Sequence, residues 1–475
     1  MLFNSFAFVF LVIATLLVFY SKRFIKYQIY ILITASFIFY AYSQPYLFLL
    51  LFFSASLNAF ISYQVFWLED IKKQKRYAIF GVMLNLFVLM LFKYSPLFGE
   101  VMKVFIQRDF IENLLLLPLP IGISFYTFQG ISIVVDLYKK QNLCQIPKNF
   151  FQHYLHTMFF IAFFPALIAG PIIKAHQFYP QITPKFLKNV DWYGCVKILI
   201  LGYFLKMVIA DNLKTQTFWM AYPYFEIYNS FSLAVFLFGY SMQIFADFAG
   251  YSLIAIGVAK LFGFDLPKNF NFPYIAKSFS EFWTRWHISL STWLKEYLYI
   301  PLGGNKKGKL RTYFNLMVVM VLGGLWHGAS VVYLFWGFYH GVLLVVERIF
   351  RYIYIYIYIY IFKENFLINI LRIFLVFCAV SFSWLFFVLK DMGEIVAYAK
   401  ILFSLEGIFS NGMFAKTQTV MIFLYSLPVV VYHFNYLLSL KFSRNLLDFP
   451  LFYAILLFLI FTNSGSAHAF VYFQF

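Results

Sequence analysis

The sequence predicts an all-α, multi-pass membrane protein, and three observations lead there. Of its 475 residues 63% are apolar and only 12% charged, a balance that finds no folded solution in water. Apolar runs recur along the whole chain, many approaching the roughly 20 residues that a helix needs to cross a bilayer core. The net charge of +18 comes from Lys and Arg set in short clusters between those runs, where the positive-inside rule places cytoplasmic loops. A nucleic-acid surface would instead gather the basic residues on one exposed face. Membrane lipid, not nucleic acid, is therefore the expected surrounding.

Taken in order, the expected spans are residues 2–20, 29–42, 46–66, 78–92, 114–137, 196–210, 231–248, 313–325, 331–346, 366–389, 420–436 and 451–461. The first lacks a basic leader and a small-residue cleavage site, and Lys22, Arg23 and Lys26 follow it, so it reads as a retained span with an outward N-terminus. The clusters Lys72, Lys73, Lys75 and Arg76, then Lys139 and Lys140, then Lys306, Lys307, Lys309 and Arg311 all fall where alternation puts cytoplasmic loops. Residues 159–173 are flanked by lysines on both sides and broken by Pro165, Gly170 and Pro171. A re-entrant segment satisfies both facts if protein covers its irregular backbone. Cys144, Cys195 and Cys378 show no paired spacing and read as packing residues. The whole chain, 1–475, is expected to form a single membrane-embedded domain.

Residues 238–347 are chemically the densest stretch and form the expected catalytic core. Gln243-Ile244-Phe245-Ala246-Asp247-Phe248-Ala249-Gly250-Tyr251 is followed by 269–274 and then by Glu281-Phe282-Trp283-Thr284-Arg285-Trp286-His287-Ile288-Ser289-Leu290-Ser291. Aromatic, charged and aliphatic residues alternate too closely from Trp293 to Tyr299 for a simple span, which suggests a partly embedded helix at the cytoplasmic boundary. Beyond the turn at Pro301 and Gly303-Gly304, an apolar run ends in Gly323-Gly324-Leu325-Trp326-His327-Gly328, and the next carries Trp336, Tyr339 and His340.

An ionisable residue between two apolar runs is costly in a bilayer and usually faces a cavity where it has a task. His327 is thus the leading catalytic candidate, with glycines beside it that allow a close approach of backbone or ligand. A neutral imidazole can take the proton of an acceptor hydroxyl as it attacks an ester or thioester carbonyl. A structural histidine bonded between helices is the competing reading, and for His287 helix packing competes almost equally. Asp247 and Glu281 suit plain ion pairs with Arg285 or Lys295 better than proton relay, while His340 and Trp326 complete the set of substrate or tunnel candidates. His153, His156, His176, His433 and His468 read as interface or structural residues.

The blocks Trp286-His287-Ile288-Ser289-Leu290-Ser291, Tyr299-Ile300-Pro301-Leu302-Gly303-Gly304 and Gly324-Leu325-Trp326-His327-Gly328 resemble those of the membrane-bound O-acyltransferases, in the branch that O-acetylates alginate and peptidoglycan. The similarity extends from the N-terminus to about Glu347 and includes 120–128 and 163–171. It implies a ring of about 11–13 transmembrane and re-entrant helices around a central tunnel, in the bacterial cytoplasmic (inner) membrane. It further implies catalysis by the residue matching His327, with that matching His287 as a second site residue. Acetyl-CoA or a similar cytoplasmic donor is implied too, with a periplasmic acetyltransferase or esterase-like partner that completes transfer to the polysaccharide. The sequence departs from the family pattern in two ways. Leu253 and Ile254 stand where an acidic residue is usual, and Thr284 stands where a base is common.

Two other functions compete: transfer of D-alanyl or another acyl group from a small acyl-carrier protein, and transport along the polar histidines without chemistry. No matching pair of interrupted spans supports the transporter. No ligand spacing supports a metal site. Gly303-Gly304-Asn305-Lys306-Lys307-Gly308-Lys309 lacks the strand and the Ser or Thr of a phosphate loop. Its lysines offer charge to the phosphates of coenzyme A, although topology alone accounts for them.

Residues 352–361 are a strict Tyr-Ile alternation, read as a helix end with tyrosines at the headgroups. A pure TA dinucleotide tract would encode it, and slippage there would switch the frame. Sequencing the gene from many single cells should reveal tracts of differing length; a mixed-codon tract of constant length would end the idea.

Overall fold

The computed structural model describes residues 1–42, 45–95, 97, 119–140, 146–168, 170–361, 366–404, 413–439, 449–466, 468 and 470. Among these every regular element is helical. Among the described residues eight helices are long and apolar enough to cross a membrane, from Lys22–Ala41 to Lys416–Leu437, and two shorter apolar helices accompany them. The chain is an all-α multi-pass membrane protein. Its helices form two compact units, one of Met1–Leu199 with Tyr251–Lys268 and one of Ile200–Gly250 with Asn269–Phe475.

The first unit is built on α1 (Phe6–Phe19), α2 (Gln28–Ala41), α3 (Phe48–Trp67), α4 (Ile71–Lys93), α5 (Ile123–Tyr138) and α6 (Phe150–Ala162). Side-chain oxygens start three of them: Ser5 accepts from the Phe8 N–H, Asp70 from those of Lys72 and Lys73, and Asn149 from that of Gln152. Of the expected span 114–137, residues 114–118 lie outside the described residues, as does Cys144; residues 119–122 are non-helical and 123–137 lie in α5. The break expected within 159–173 occurs at Phe163, where α6 stops and a four-residue helix, Phe164–Leu167, begins. Phe159, Phe163, Phe178 and Phe264 pack around it with ring centroids 5.2–5.4 Å apart. The irregular backbone is thereby covered.

Several polar residues of this unit are satisfied within it. Asp136 accepts from both the backbone N–H and Nδ1 of His176, and Ser62 lies 2.9 Å from His153 Nε2. The amides of Asn58 and Asn85 bond reciprocally between α3 and α4, at 3.1 and 2.8 Å. Helix α5 crosses this pair at Gly130, where a Cβ would lie 2.5 Å from Asn85 Oδ1.

The second unit contains most of α7 (Ser230–Leu261), then α8 (Phe279–Arg285), α9 (Ile288–Leu294), α10 (Lys309–His327), α11 (Val331–Ile361), α12 (Phe366–Ser383), α13 (Met392–Ser404), α14 (Met413–Ser439) and α15 (Pro450–Thr462). The Tyr-Ile tract continues α11 as helix to Ile361; its side chains lie outside the described residues. Glu347 on α11 accepts from the backbone N–H groups of Phe279 and Ser280, capping the start of α8.

Replacing Asn85 by Leu would leave the Asn58 amide in apolar surroundings, at a cost of about 1–2 kcal/mol. The melting temperature in detergent should fall by a few degrees, and the double change Asn58→Leu/Asn85→Leu should lose less than the two single changes summed. Equal melting of Asn85→Leu and the parent would show that the pair contributes nothing.

Candidate active site around His327

Two helices in extreme proximity place His327. An added Cβ on Gly324 of α10 would lie 2.2 Å from the Tyr333 carbonyl oxygen and 2.9 Å from the Gly337 Cα of α11. No other residue type lets the two backbones touch in this way. Three residues beyond this contact, His327 closes the last turn of α10, and Gly328 leaves it in extended conformation. The imidazole is 3% exposed. Trp336 meets it edge-on at 4.9 Å, Trp326 at 5.1 Å and Phe387 at 5.3 Å.

His287 approaches the same place from the break between α8 and α9. Its φ of +43° puts a bulky side chain in the left-handed region, an uncommon conformation that must be held by its surroundings. Asn269 holds it: its carbonyl accepts from the Ile288 N–H at 2.9 Å and its Oδ1 from the Ser289 hydroxyl at 2.6 Å. The Asn271 N–H adds a bond to the Arg285 carbonyl at 2.9 Å. The His287 ring lies 4.6 Å from Phe248, 5.6 Å from Trp326 and 6.4 Å from His327. Burial pushes this imidazole down to about 3, so it stays neutral and is a weak proton acceptor.

The other candidates occupy distinct positions. His340 Nε2 donates to Ser383 Oγ at 3.0 Å, and its ring packs on Trp336 and Trp283 behind His327. Glu281 and Arg285, four residues apart on α8, form an ion pair at 2.8 Å, while Arg285 also donates to the Asn271 carbonyl. Their role is to brace the segment that carries His287. Asp247 takes neither Arg285 nor Lys295. It pairs at 2.8 Å with Lys206, which also holds Asp211 at 2.7 Å, all three being buried. Phe248, next to Asp247, packs against the His287 ring.

Lys206, Asp211 and Asn269 escaped the sequence reading. Lys206 lies inside an apolar run and Asp211 directly after it, itself a signal of a buried charge pair. Phe204–Ala210 adopts the wider π-helical winding that often marks functional places. Gly250 lets α7 come within 2.9 Å of the Lys206 backbone nitrogen, counted from an added Cβ.

A cavity of about 110 Å³ opens beside His327, walled by Trp283, Leu290, Leu294, Met320 and Trp336 among others. No group of three His, Cys, Asp or Glu residues that could hold a metal occurs among the described residues. A base in an apolar pocket, flanked by a second neutral imidazole, suits proton removal from a hydroxyl during group transfer.

The family model for membrane-bound O-acyltransferases matches residues 104–390, a stretch that contains the whole histidine cluster. The chain belongs to that family. The acyltransferase is 38% identical over 360 residues to the probable alginate O-acetylase of Pseudomonas aeruginosa, covering 73% of this chain and 66% of that one. The peptidoglycan O-acetyltransferase of Helicobacter pylori is 34% identical over 402 residues, 79% of this chain and 74% of its own. The teichoic acid D-alanyltransferase of Bacillus subtilis is 31% identical over a shorter stretch, 49% of this chain and 59% of its own. This chain thus spans about two thirds to three quarters of the lengths of the two O-acetylating relatives.

Two substitutions probe how the acyltransferase builds this site. Gly324→Val should force α10 and α11 apart and abolish transfer with His327 still present. His287→Asn tolerates the left-handed backbone, so the protein should fold with an unchanged melting temperature while its transfer rate drops at least about tenfold. Full activity in His287→Asn would reduce His287 to packing.

Proposed function

We propose that this acyltransferase carries acetyl groups from cytoplasmic acetyl-CoA across the bacterial inner membrane for O-acetylation of an extracytoplasmic polysaccharide, alginate-like or peptidoglycan. The observation that supports it most directly is the His327 imidazole, held at a helix end in an apolar cavity within the stretch that the family model matches. His327 acts as general base. It removes the proton of an acceptor hydroxyl as that oxygen attacks the thioester carbonyl, then returns the proton to the departing thiolate. The acceptor belongs to the polysaccharide or to a periplasmic acetyltransferase or esterase-like partner that completes delivery. His287 and the Asp247–Lys206–Asp211 group position rather than react.

Transfer of D-alanyl groups from an acyl-carrier protein is the second reading, supported by the similarity to the teichoic acid enzyme. It is weaker because that similarity covers less of the chain and, among the described residues, the cavity wall carries no carboxylate for an amino-acyl ammonium. Family membership leaves no need for the transporter reading.

A His327→Ala strain tests the assignment, with acetate released from the envelope by mild base as the readout. Loss of a general base should lower transfer by about 10²–10⁴-fold. Unchanged acetate with lost ester-linked D-alanine would favour the second reading, and unchanged levels of both would sink the role given to His327.

A further inference from the structure

The cavity beside His327 includes a hydrogen-bond donor that the reaction above leaves without a role. Trp336 is 1% exposed and lines the cavity, edge-on to the His327 ring. Its indole Nε1–H is buried and has no acceptor among the described residues. Native proteins keep few such donors, because a buried N–H without an acceptor has given up its hydrogen bond to water for nothing. Leu290, Leu294, Val319 and Met320 in the wall have no side-chain acceptor, and the indole bonds neither the Ser291 hydroxyl nor the His327 ring that also line it. Trp283 in the same wall has an unbonded N–H too, but it is Trp336 that lies against His327. The missing acceptor is therefore best sought in whatever enters the cavity beside the base.

We propose that this cavity is the acyl pocket and that the Trp336 indole N–H donates to the thioester carbonyl oxygen, stabilising the negative charge that develops there during transfer. With His327 as base, the reading on which this rests, the acceptor oxygen bonds to the carbonyl carbon while the imidazole takes its proton. The C=O π pair moves onto the oxygen, where the indole N–H meets it. Collapse re-forms the carbonyl and breaks the carbon–sulfur bond. The thiolate takes the proton back from the imidazolium, leaving an ester and a free thiol. A donor fixed in an apolar wall is effective in this role because it needs no reorganisation as charge appears.

The same walls set the acyl specificity. A volume of about 110 Å³ is well below the roughly 300–1,000 Å³ of ordinary small-molecule sites, so the pocket admits a short chain. Its apolar walls favour an uncharged one, since an amino-acyl ammonium would be desolvated there without a partner.

The test uses inverted membrane vesicles, which keep their own acceptor, supplied with labelled acetyl-CoA. Trp336 is replaced by benzothienylalanine, which keeps the ring shape and removes only the N–H, and in parallel by phenylalanine, Trp336→Phe. Both should lower kcat by about 10–10²-fold with the KM for acetyl-CoA within about twofold of the parent, the pattern of an interaction made in the transition state. An undiminished kcat with benzothienylalanine, or a loss confined to KM, would overturn the assignment of the donor. Octanoyl-CoA used as fast as acetyl-CoA would overturn that of the pocket. His327→Ala vesicles measured alongside keep the two levels apart: activity there refutes the base itself, whereas an inactive His327→Ala with a fully active isostere refutes Trp336 alone.

Discussion

The surroundings of His327 depend on one steric constraint, the contact of two helix backbones at Gly324 and Gly337. Between apolar helices in lipid there is no hydrophobic force to draw one toward the other, so close packing and local hydrogen bonds decide the geometry. Here the Tyr333 carbonyl oxygen occupies the space where any larger residue at 324 would put its Cβ. With the hairpin closed that tightly, His327 and Trp336, on opposite arms, have little freedom but to face each other at 4.9 Å. The facing of these two rings thus derives from absent side chains, at Gly324 three residues before His327 and at Gly337 directly after Trp336.

A second assembly meets this hairpin. The segment from Asn269 to Ser289 is tied across itself by the Asn269 and Asn271 bonds and braced by Glu281 with Arg285. Its helix start is capped by Glu347, which belongs to the hairpin. Trp286, fully buried against Trp384 at 4.9 Å and Phe270 at the same distance, makes the hinge of this segment a packed one. A left-handed backbone at His287 is tolerable because so many neighbours over-determine it. The polar network here supports orientation, and the aromatic rings exclude water around it.

The fold class was legible because composition and the recurrence of apolar runs leave no aqueous alternative. His287 and His327 stood out because a polar residue amid apolar ones is conspicuous in any single sequence. The break within 159–173 was announced by Pro165 and Gly170. What stayed hidden was partnership. Asp247 and Lys206 are 41 positions apart, and nothing local to Asp247 favours Lys206 over Arg285 or Lys295. The clasp of Asn58 with Asn85, and the strap made by Asn269, likewise depend on which helices become neighbours, information that periodicity does not carry. Trp336 looked like one more aromatic in an apolar helix; its buried, unbonded nitrogen together with its contact to His327 at 4.9 Å sets it apart.

The Tyr-Ile tract follows Glu347 within a single helix and precedes every residue of α12. A polypeptide that ended there would retain His327, His287 beside it and the hairpin glycines. It would lack Ser383, which bonds His340, and Phe387, whose ring lies 5.3 Å from that of His327. Water would then reach the cavity beside His327. The tract is thus the seam between the part of the chain that supplies the histidine cluster and a part that helps to cover it.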